Sequence, residues 1–222
     1  MDRKTAMIYA QLKPYKALVE KTRGFIRWAL DKVDKPYVAC SFGKDSAVML
    51  HLVREIRPNI KVRFIRWEGE TEHIDNYDEV ISQWGNINLE QIEMCRISLS
   101  DKRKDRYDVG KEYDAFFVGL RMQESTARRI TLKTHGLFYK NKAGLVRISP
   151  LAEWTDKDVA TYAFANSLPM LNSYKINGIK SRTASRIPRE DFGIREQFLS
   201  DLKARDFTAY QKLLLKFPEI SN

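Results

Sequence analysis

The sequence predicts an α/β fold, a mostly parallel sheet sandwiched between helices, with further helices leading and trailing it. Three observations point there. Short apolar runs alternate with helical patterns from residue 37 to residue 166. A glycine-containing turn joins the first of these runs directly to a helix, and no repeat period or low-complexity tract competes with the alternation. At 222 residues and 43% hydrophobic content the chain can bury a real core, which suits one domain over 1–222, with its core at 36–170 and a basic loop and helices at 171–222.

The elements follow in order. Residues 3–33 carry apolar positions at helical spacing, among them Tyr9, Leu12, Tyr15, Val19, Ile26 and Leu30, with Pro14 and Gly24 as expected breaks, giving one or two leading helices. Residues 37–40 (YVAC) read as a strand, and a helical pattern runs from Ala47 to Arg54, ahead of Pro58. Residues 61–67 (KVRFIRW) form a second strand, 72–84 a helix and 89–94 a weaker strand. Residues 115–120 (AFFVGL) are another buried strand and 145–148 a shorter one. A helix spans 156–166 with Thr155 as N-cap, and the tail from 189 to 217 is helical again. In sheets of this kind ligands sit beyond the carboxyl ends of the strands, so the loops after Cys40, Trp67 and Leu120 should share one crevice.

Composition narrows the function. Thirty-nine Lys plus Arg against 29 Asp plus Glu give a net charge of +10. Residues 125–149 hold six of these cations (Arg128, Arg129, Lys133, Lys140, Lys142, Arg147) and no acid, and residues 169–189 form a second acid-free basic run. A polyphosphate nucleotide and a nucleic acid both suit such a field, and a merely solvated basic surface competes with both. The two cysteines, Cys40 and Cys95, lie too far apart in sequence for a zinc or redox pair and exclude a disulfide scaffold. No run approaches the roughly 20 apolar residues of a bilayer span, and the N-terminal segment lacks the apolar core of a signal peptide. A cytoplasmic location without membrane contact is expected.

The chemistry concentrates at Ser41-Phe42-Gly43-Lys44-Asp45-Ser46, between the first strand and its helix. Backbone N–H groups at a helix N-terminus lack intrahelical partners and, with the macrodipole, favour an anion such as phosphate. Gly43 allows close approach, Ser41 and Ser46 add hydroxyls, and Lys44 adds a point charge. Asp45 either caps the helix or recruits a divalent cation that bridges to phosphate oxygens.

This loop, CSFGKDSAVMLHL, resembles the modified phosphate loop S-x-G-x-D-S of the adenine nucleotide alpha hydrolases, or N-type ATP pyrophosphatases. The match is closest to the branch of phosphoadenylyl-sulfate reductase and the sulfate adenylyltransferase small subunit. Gly119-Leu120-Arg121-Met122-Gln123-Glu124-Ser125 with Arg128 and Arg129 is similar to that branch's G-x-R-x-x-E-S-x-x-R element, and Pro150-Leu151-Ala152-Glu153-Trp154-Thr155 with Asp158 and Val159 to its P-L-x-x-W-T-x-x-D-V element. The resemblance implies a Rossmann-like, HUP-type sheet holding ATP or an adenylyl sulfate over the loop, with Mg2+ accompanying ATP. It implies phosphate contacts from residues 41–46, nucleotide contacts from Gly119, Glu124 and Ser125, and catalytic roles for Lys44, Asp45 and Arg121. Arg121, then Arg128 or Arg129, would face the sulfate or leaving phosphate; an ion pair of Arg121 with Glu124 is the competing reading. Trp154 and Asp158 read better as structure, with Thr155 and Asp158 as a capping box.

Three departures shape the expectation. The reductases carry a nucleophilic cysteine near their C-terminus, whereas this sequence has no Cys after Cys95 and no His after His135, so thiol-dependent reduction is not expected. Neither an iron-sulfur cluster nor zinc is expected, for want of cysteines. The family's Asp-Thr-Gly after the second strand is replaced by Arg66-Trp67-Glu68-Gly69-Glu70-Thr71-Glu72, which leaves Glu68, or else Glu70 or Glu72, as the candidate to bind metal beside Asp45 or to hold a ribose hydroxyl, and Trp67 as a base-stacking candidate, against an acidic helix start. The loop at 174–189 is strongly basic and suits either a triphosphate or a nucleic acid. The expected function is cleavage of ATP between its α and β phosphates to adenylylate sulfate or a nucleic acid group, with a partner enzyme subunit in the sulfate case. The alternative is a nucleotide-binding sensor or complex component without turnover.

Overall fold

The computed structural model describes residues 2–67, 76–94, 112–179, 199–200, 202–204 and 207–216. The leading apolar pattern forms α1 (Arg3–Tyr9) and α2 (Lys13–Leu30). Asp2 begins α1 by accepting the Thr5 N–H at 2.8 Å. The chain breaks at residues 10–12, and neither Pro14 nor Gly24 interrupts a helix. Pro14 occupies the first turn of α2, where a missing N–H leaves no bond unmade, and Gly24 lies on that helix's exposed side. α2 turns Tyr15, Val19, Thr22, Ile26 and Ala29 into the core.

Six strands form one sheet: β1 (Pro36–Ala39), β2 (Lys61–Trp67), β3 (Asn88–Met94), β4 (Ala115–Val118), β5 (Phe138–Lys140) and β6 (Val146–Ile148). Their spatial order is β3-β2-β1-β4-β6-β5, with every pairing parallel except β5 on β6. Tyr37 of β1 sits opposite Lys61 on one side and Phe116 on the other. β1 is thus flanked by β2 and β4, and the connections leaving it diverge, the switch point at which such sheets open a crevice.

The intervening helices are α3 (Lys44–Arg54), α4 (Tyr77–Gln83), α5 (Thr126–His135), α6 (Asp156–Ala165), α7 (Asn172–Asn177) and, in the tail, α8 (Phe207–Lys216). α3 starts at Lys44, three residues before the apolar pattern does, because the phosphate-sized loop itself supplies the first turn. β4 ends at Val118, which leaves Gly119 and Leu120 in the loop that follows. Two features escape the sequence pattern. α5 buries only Leu132 and so lacks an apolar stripe. The β5–β6 hairpin turns on Asn141, whose side-chain oxygen accepts the Ala143 and Leu145 N–H groups, and on Gly144 at φ 83.

The main core lies between β1, β2, β4 and β6 and the helices α2, α3 and α6, built on Ile26, Val38, Leu50, Phe117, Ile148 and Trp154. The expected capping box forms: Thr155 Oγ1 accepts the Asp158 N–H, and the Asp158 carboxylate accepts the Thr155 N–H at 2.8 Å. That carboxylate also accepts the Tyr9 hydroxyl at 3.2 Å, tying α1 to α6. Among the described residues no helix is long and apolar enough to cross a membrane. Most of the basic loop, 180–189, lies outside the described residues.

Candidate functional site

Residues 40–46 turn the end of β1 into the start of α3. Phe42 makes the turn at φ 53, an uncommon conformation for a non-glycine residue, and it is held there because its side chain is fully buried edge-on against Phe64. Its expected contact with a ligand is therefore corrected. The ring anchors the loop from below, since burying a phenyl group in the core outweighs the cost of the turn. The Ser46 hydroxyl knits the loop together, donating to the Gly43 carbonyl at 2.9 Å and accepting the Ser41 N–H at 3.2 Å. Tyr174, in α7, accepts the Lys44 N–H through its hydroxyl at 2.9 Å. The N–H groups of Gly43, Asp45 and Ser46 make no hydrogen bond among the described residues, and all three residues line a cleft of about 530 Å³.

Across the cleft stands the segment after β4. Gly119 is there because nothing larger fits: an added Cβ would lie 2.9 Å from the Asp45 carbonyl carbon and oxygen and 3.0 Å from the Ser46 nitrogen. These are backbone atoms and cannot swing aside. Gly119→Ala should push α3 away from β4, costing about 1–3 kcal/mol of stability. Thermal melting checks this, and a variant with wild-type melting would show that the two segments are not in contact.

Arg121 is 2% exposed and holds the charges together. Its Nε donates to Asp45 Oδ1 at 2.5 Å, its Nη2 to Asp156 Oδ1 at 2.7 Å and its Nη1 to Gln123 Oε1 at 3.3 Å. Lys44, also buried, places Nζ 3.8 Å from the same Asp156 oxygen and 5.6 Å from the centre of the Tyr174 ring. The side-chain pair of Arg121 with Glu124 does not form. Glu124 instead accepts the Arg121 backbone N–H at 2.8 Å and pairs with Arg128, which lines the cleft. Arg63 of β2 also lines the cleft, paired with Glu90 at 2.9 Å, its guanidinium lying over Tyr37 and Tyr113.

Burial pushes the Asp45 carboxyl above the ordinary carboxylate range, and the neighbouring Arg121 and Lys44 charges hold part of that back. For Arg121, burial works against the charge, and Asp45 with Asp156 more than offsets it, so the guanidinium stays firmly protonated. Burial also pushes the Cys40 thiol up to about 11, which makes it a poor nucleophile near neutral pH.

The expected residues therefore divide. Ser41, Gly43, Lys44, Asp45, Ser46, Gly119, Arg121, Glu124 and Arg128 all line one cleft. Ser125 does not join them: its hydroxyl caps α5 by accepting the Arg128 N–H at 3.2 Å. Arg129 does not either, because one helical step rotates it away from Arg128 and leaves it exposed. The side chain of Trp67, and all of Glu68, lie outside the described residues, among which no group of three or more His, Cys, Asp or Glu side chains could hold a metal ion. The sequence reading missed Asp156 and Arg63. An acid in the first turn of a helix already has a reason to be there in the dipole, and an arginine in a strand carries no motif.

The family model for the phosphoadenosine phosphosulfate reductase domain matches residues 35–177. An adenosine 5'-phosphosulfate reductase of Mesorhizobium japonicum is 28% identical over 182 residues, 72% of this chain and 67% of that protein. A sulfate adenylyltransferase subunit 2 of Marinomonas sp. is 27% identical over 209 residues, 76% of this chain and 69% of its own length. The solved phosphoadenylyl-sulfate reductase of Candida auris shares the fold, with a TM-score of 0.53 at 21% identity over 75% of this chain and 90% of that one.

Proposed function

The chain belongs to the phosphoadenosine phosphosulfate reductase domain family, and on that basis we propose that it binds an adenine nucleotide over residues 41–46 and cleaves ATP between its α and β phosphates, adenylylating sulfate or a nucleic acid group. One observation carries the reading. The N–H groups of Gly43, Asp45 and Ser46, without partners among the described residues, belong to the lining of the cleft that also holds the buried cations Lys44 and Arg121. The N–H groups and Lys44 bind phosphate oxygens. Arg121, with its rigid fork of donors, faces the oxygens on which charge gathers as pyrophosphate departs. Arg128 stands ready to take the acceptor or the outer phosphates.

Cys40 is buried with its thiol pushed up to about 11, which makes it a poor nucleophile for a reductive step at this site. Magnesium bound to ATP would help neutralise its phosphates. Among the described residues its expected ligand Asp45 is already committed to Arg121, so the described donors do not fit a metal as they stand. A second reading, a nucleotide sensor without turnover, draws on the same pairing, because Asp45 and Asp156 hold Arg121 and Lys44 and phosphate must displace a carboxylate to reach them.

The test is pyrophosphate release from magnesium ATP, with and without sulfate, DNA and RNA, and with a partner subunit where one is identified. The expected result is release by the wild type, accelerated by one additive, and a loss of about a hundredfold or more in Lys44→Ala. ATP binding with no pyrophosphate under any condition selects the sensor. Failure to bind ATP overturns both readings.

A further inference from the structure

The cations of the cleft are matched by carboxylates, whereas those on the face beside it are not. Arg121 and Lys44 meet Asp45 and Asp156, Arg128 meets Glu124 and Arg63 meets Glu90. Arg129 and Lys133 lie one turn apart on α5, Lys140 ends β5 and Lys142 sits in the hairpin turn. All four are exposed, and none forms an ion pair among the described residues. Residues 125–149, which carry them, contain no Asp or Glu. Unmatched like charges on two consecutive elements raise the local potential and favour a polyanion as counterpart.

Two further features select the polyanion. The His135 ring stacks on Tyr139 with centroids 5.0 Å apart and planes 26° from parallel, and the Tyr139 hydroxyl accepts Arg147 Nη1 at 3.0 Å, so an aromatic pair joins the end of α5 to a cation of the hairpin. Cationic side chains interleaved with stacked rings suit a sugar-phosphate backbone and its bases. A lipid surface would call for an apolar face, and Ile130 is the sole large apolar side chain strongly exposed on α5. The same helix reaches the cleft through Arg128, one residue before Arg129 and about 100° around the helix from it.

We propose that α5 and the β5–β6 hairpin form a docking surface for a nucleic acid, whose acceptor oxygen reaches the cleft past Arg128. The chemical part rests on the adenylyl-transfer reading above, while the docking part does not. In that reaction the acceptor oxygen bonds to the α phosphorus as the α–β phosphoanhydride bond breaks. Pyrophosphate carries off the electron pair, and any acceptor proton passes to water. No oxidant or reductant is needed.

The experiment measures fluorescence anisotropy of labelled single-stranded RNA, single-stranded DNA and duplex DNA on the full chain without nucleotide, across a salt series. A charge-reversed variant (Arg129→Glu, Lys133→Glu, Lys140→Glu, Lys142→Glu) is compared with a milder Lys140→Ala, Lys142→Ala variant, each checked for wild-type melting. The expected result is nucleic acid binding that falls about 30-fold or more on charge reversal, with a salt slope shallower by roughly one for each phosphate no longer neutralised. The milder pair should give an intermediate loss. Wild-type affinity in both variants, or equal binding to polyglutamate, overturns the docking surface even where ATP still yields pyrophosphate. Docking that responds to these variants while no nucleic acid stimulates pyrophosphate release upholds the surface and overturns the delivery of an acceptor.

Discussion

Arg121→Ala is expected to abolish detectable ATP binding and to cost about 3–5 kcal/mol of stability, as removing one partner of a buried ion pair does. The stability loss comes from the carboxylates left behind. Asp45 is largely buried, and its carboxyl is already pushed upward by that burial. Without the guanidinium 2.5 Å away, its charge loses the main group that holds it ionised, and Asp156 loses its 2.7 Å partner. Adding Asp45→Asn to Arg121→Ala should recover much of the stability, because the buried charge goes with its partner, yet recover none of the binding. Arg121→Lys should keep a charge but fail to span both carboxylates, since an ammonium is a compact donor without the planar fork. Chemical denaturation and calorimetric titration with ATP read these effects separately. An Arg121→Ala protein with wild-type stability and affinity would remove Arg121 from both roles.

Trp154→Ala should also cost about 3–5 kcal/mol, here through the cavity it leaves, with a different pattern at the site. Trp154 is 1% exposed and packs edge-on against Tyr15 at 6.4 Å and Tyr162 at 5.7 Å between ring centres. Its Nε1 donates to Thr22 Oγ1 at 2.9 Å, and that hydroxyl donates in turn to the Leu18 carbonyl, which fastens the segment before α6 to the middle of α2. None of these groups lines the cleft. Urea unfolding followed by circular dichroism should show the loss, and the folded fraction should bind ATP as the wild type does. Trp154→Phe, which keeps most of the ring volume and gives up the hydrogen bond, should recover the larger part. A Trp154→Ala protein that melts normally but cannot bind ATP would place this tryptophan in the site.

How much of this was legible follows from the range of each interaction. Cys40 to Arg54 could be read as strand, loop and helix because the apolar run, Gly43 and the helical pattern are neighbours in the chain. The capping box of Thr155 and Asp158 is equally local, its partners three residues apart. Arg121 shows the limit. Sequence spacing offers Glu124, three residues away, as its partner, whereas the guanidinium pairs with Asp45 and Asp156, 76 and 35 residues away. Glu124 keeps a local task at the Arg121 backbone N–H. Phe42 failed for a related reason: its place in a ligand-binding motif says nothing about which way the ring turns, and the Phe64 side of β2 decided that. α5 and β5 were hidden because Leu132 alone marks the inner side of α5 and β5 is three residues long, whereas β6 falls within the strand read at 145–148.

The parallel-sheet class, the strand-loop-helix phosphate cradle, the excess of positive charge in the second half and the family to which these belong are all written in the order of the residues. Those properties reside in chain neighbours, in glycine's freedom and in composition, and they survive without coordinates. Three-dimensional packing was needed to settle which charges neutralise one another, that Phe42 supports the loop from the core, that Asp156 belongs to the cleft and that Arg129, Lys133, Lys140 and Lys142 lack ion-pair partners among the described residues. These depend on β4 lying against β1, and α6 against α3, through burial of the apolar faces between them. Burial of that kind is non-directional, and it carries polar side chains from distant parts of the chain to within hydrogen-bonding distance of one another.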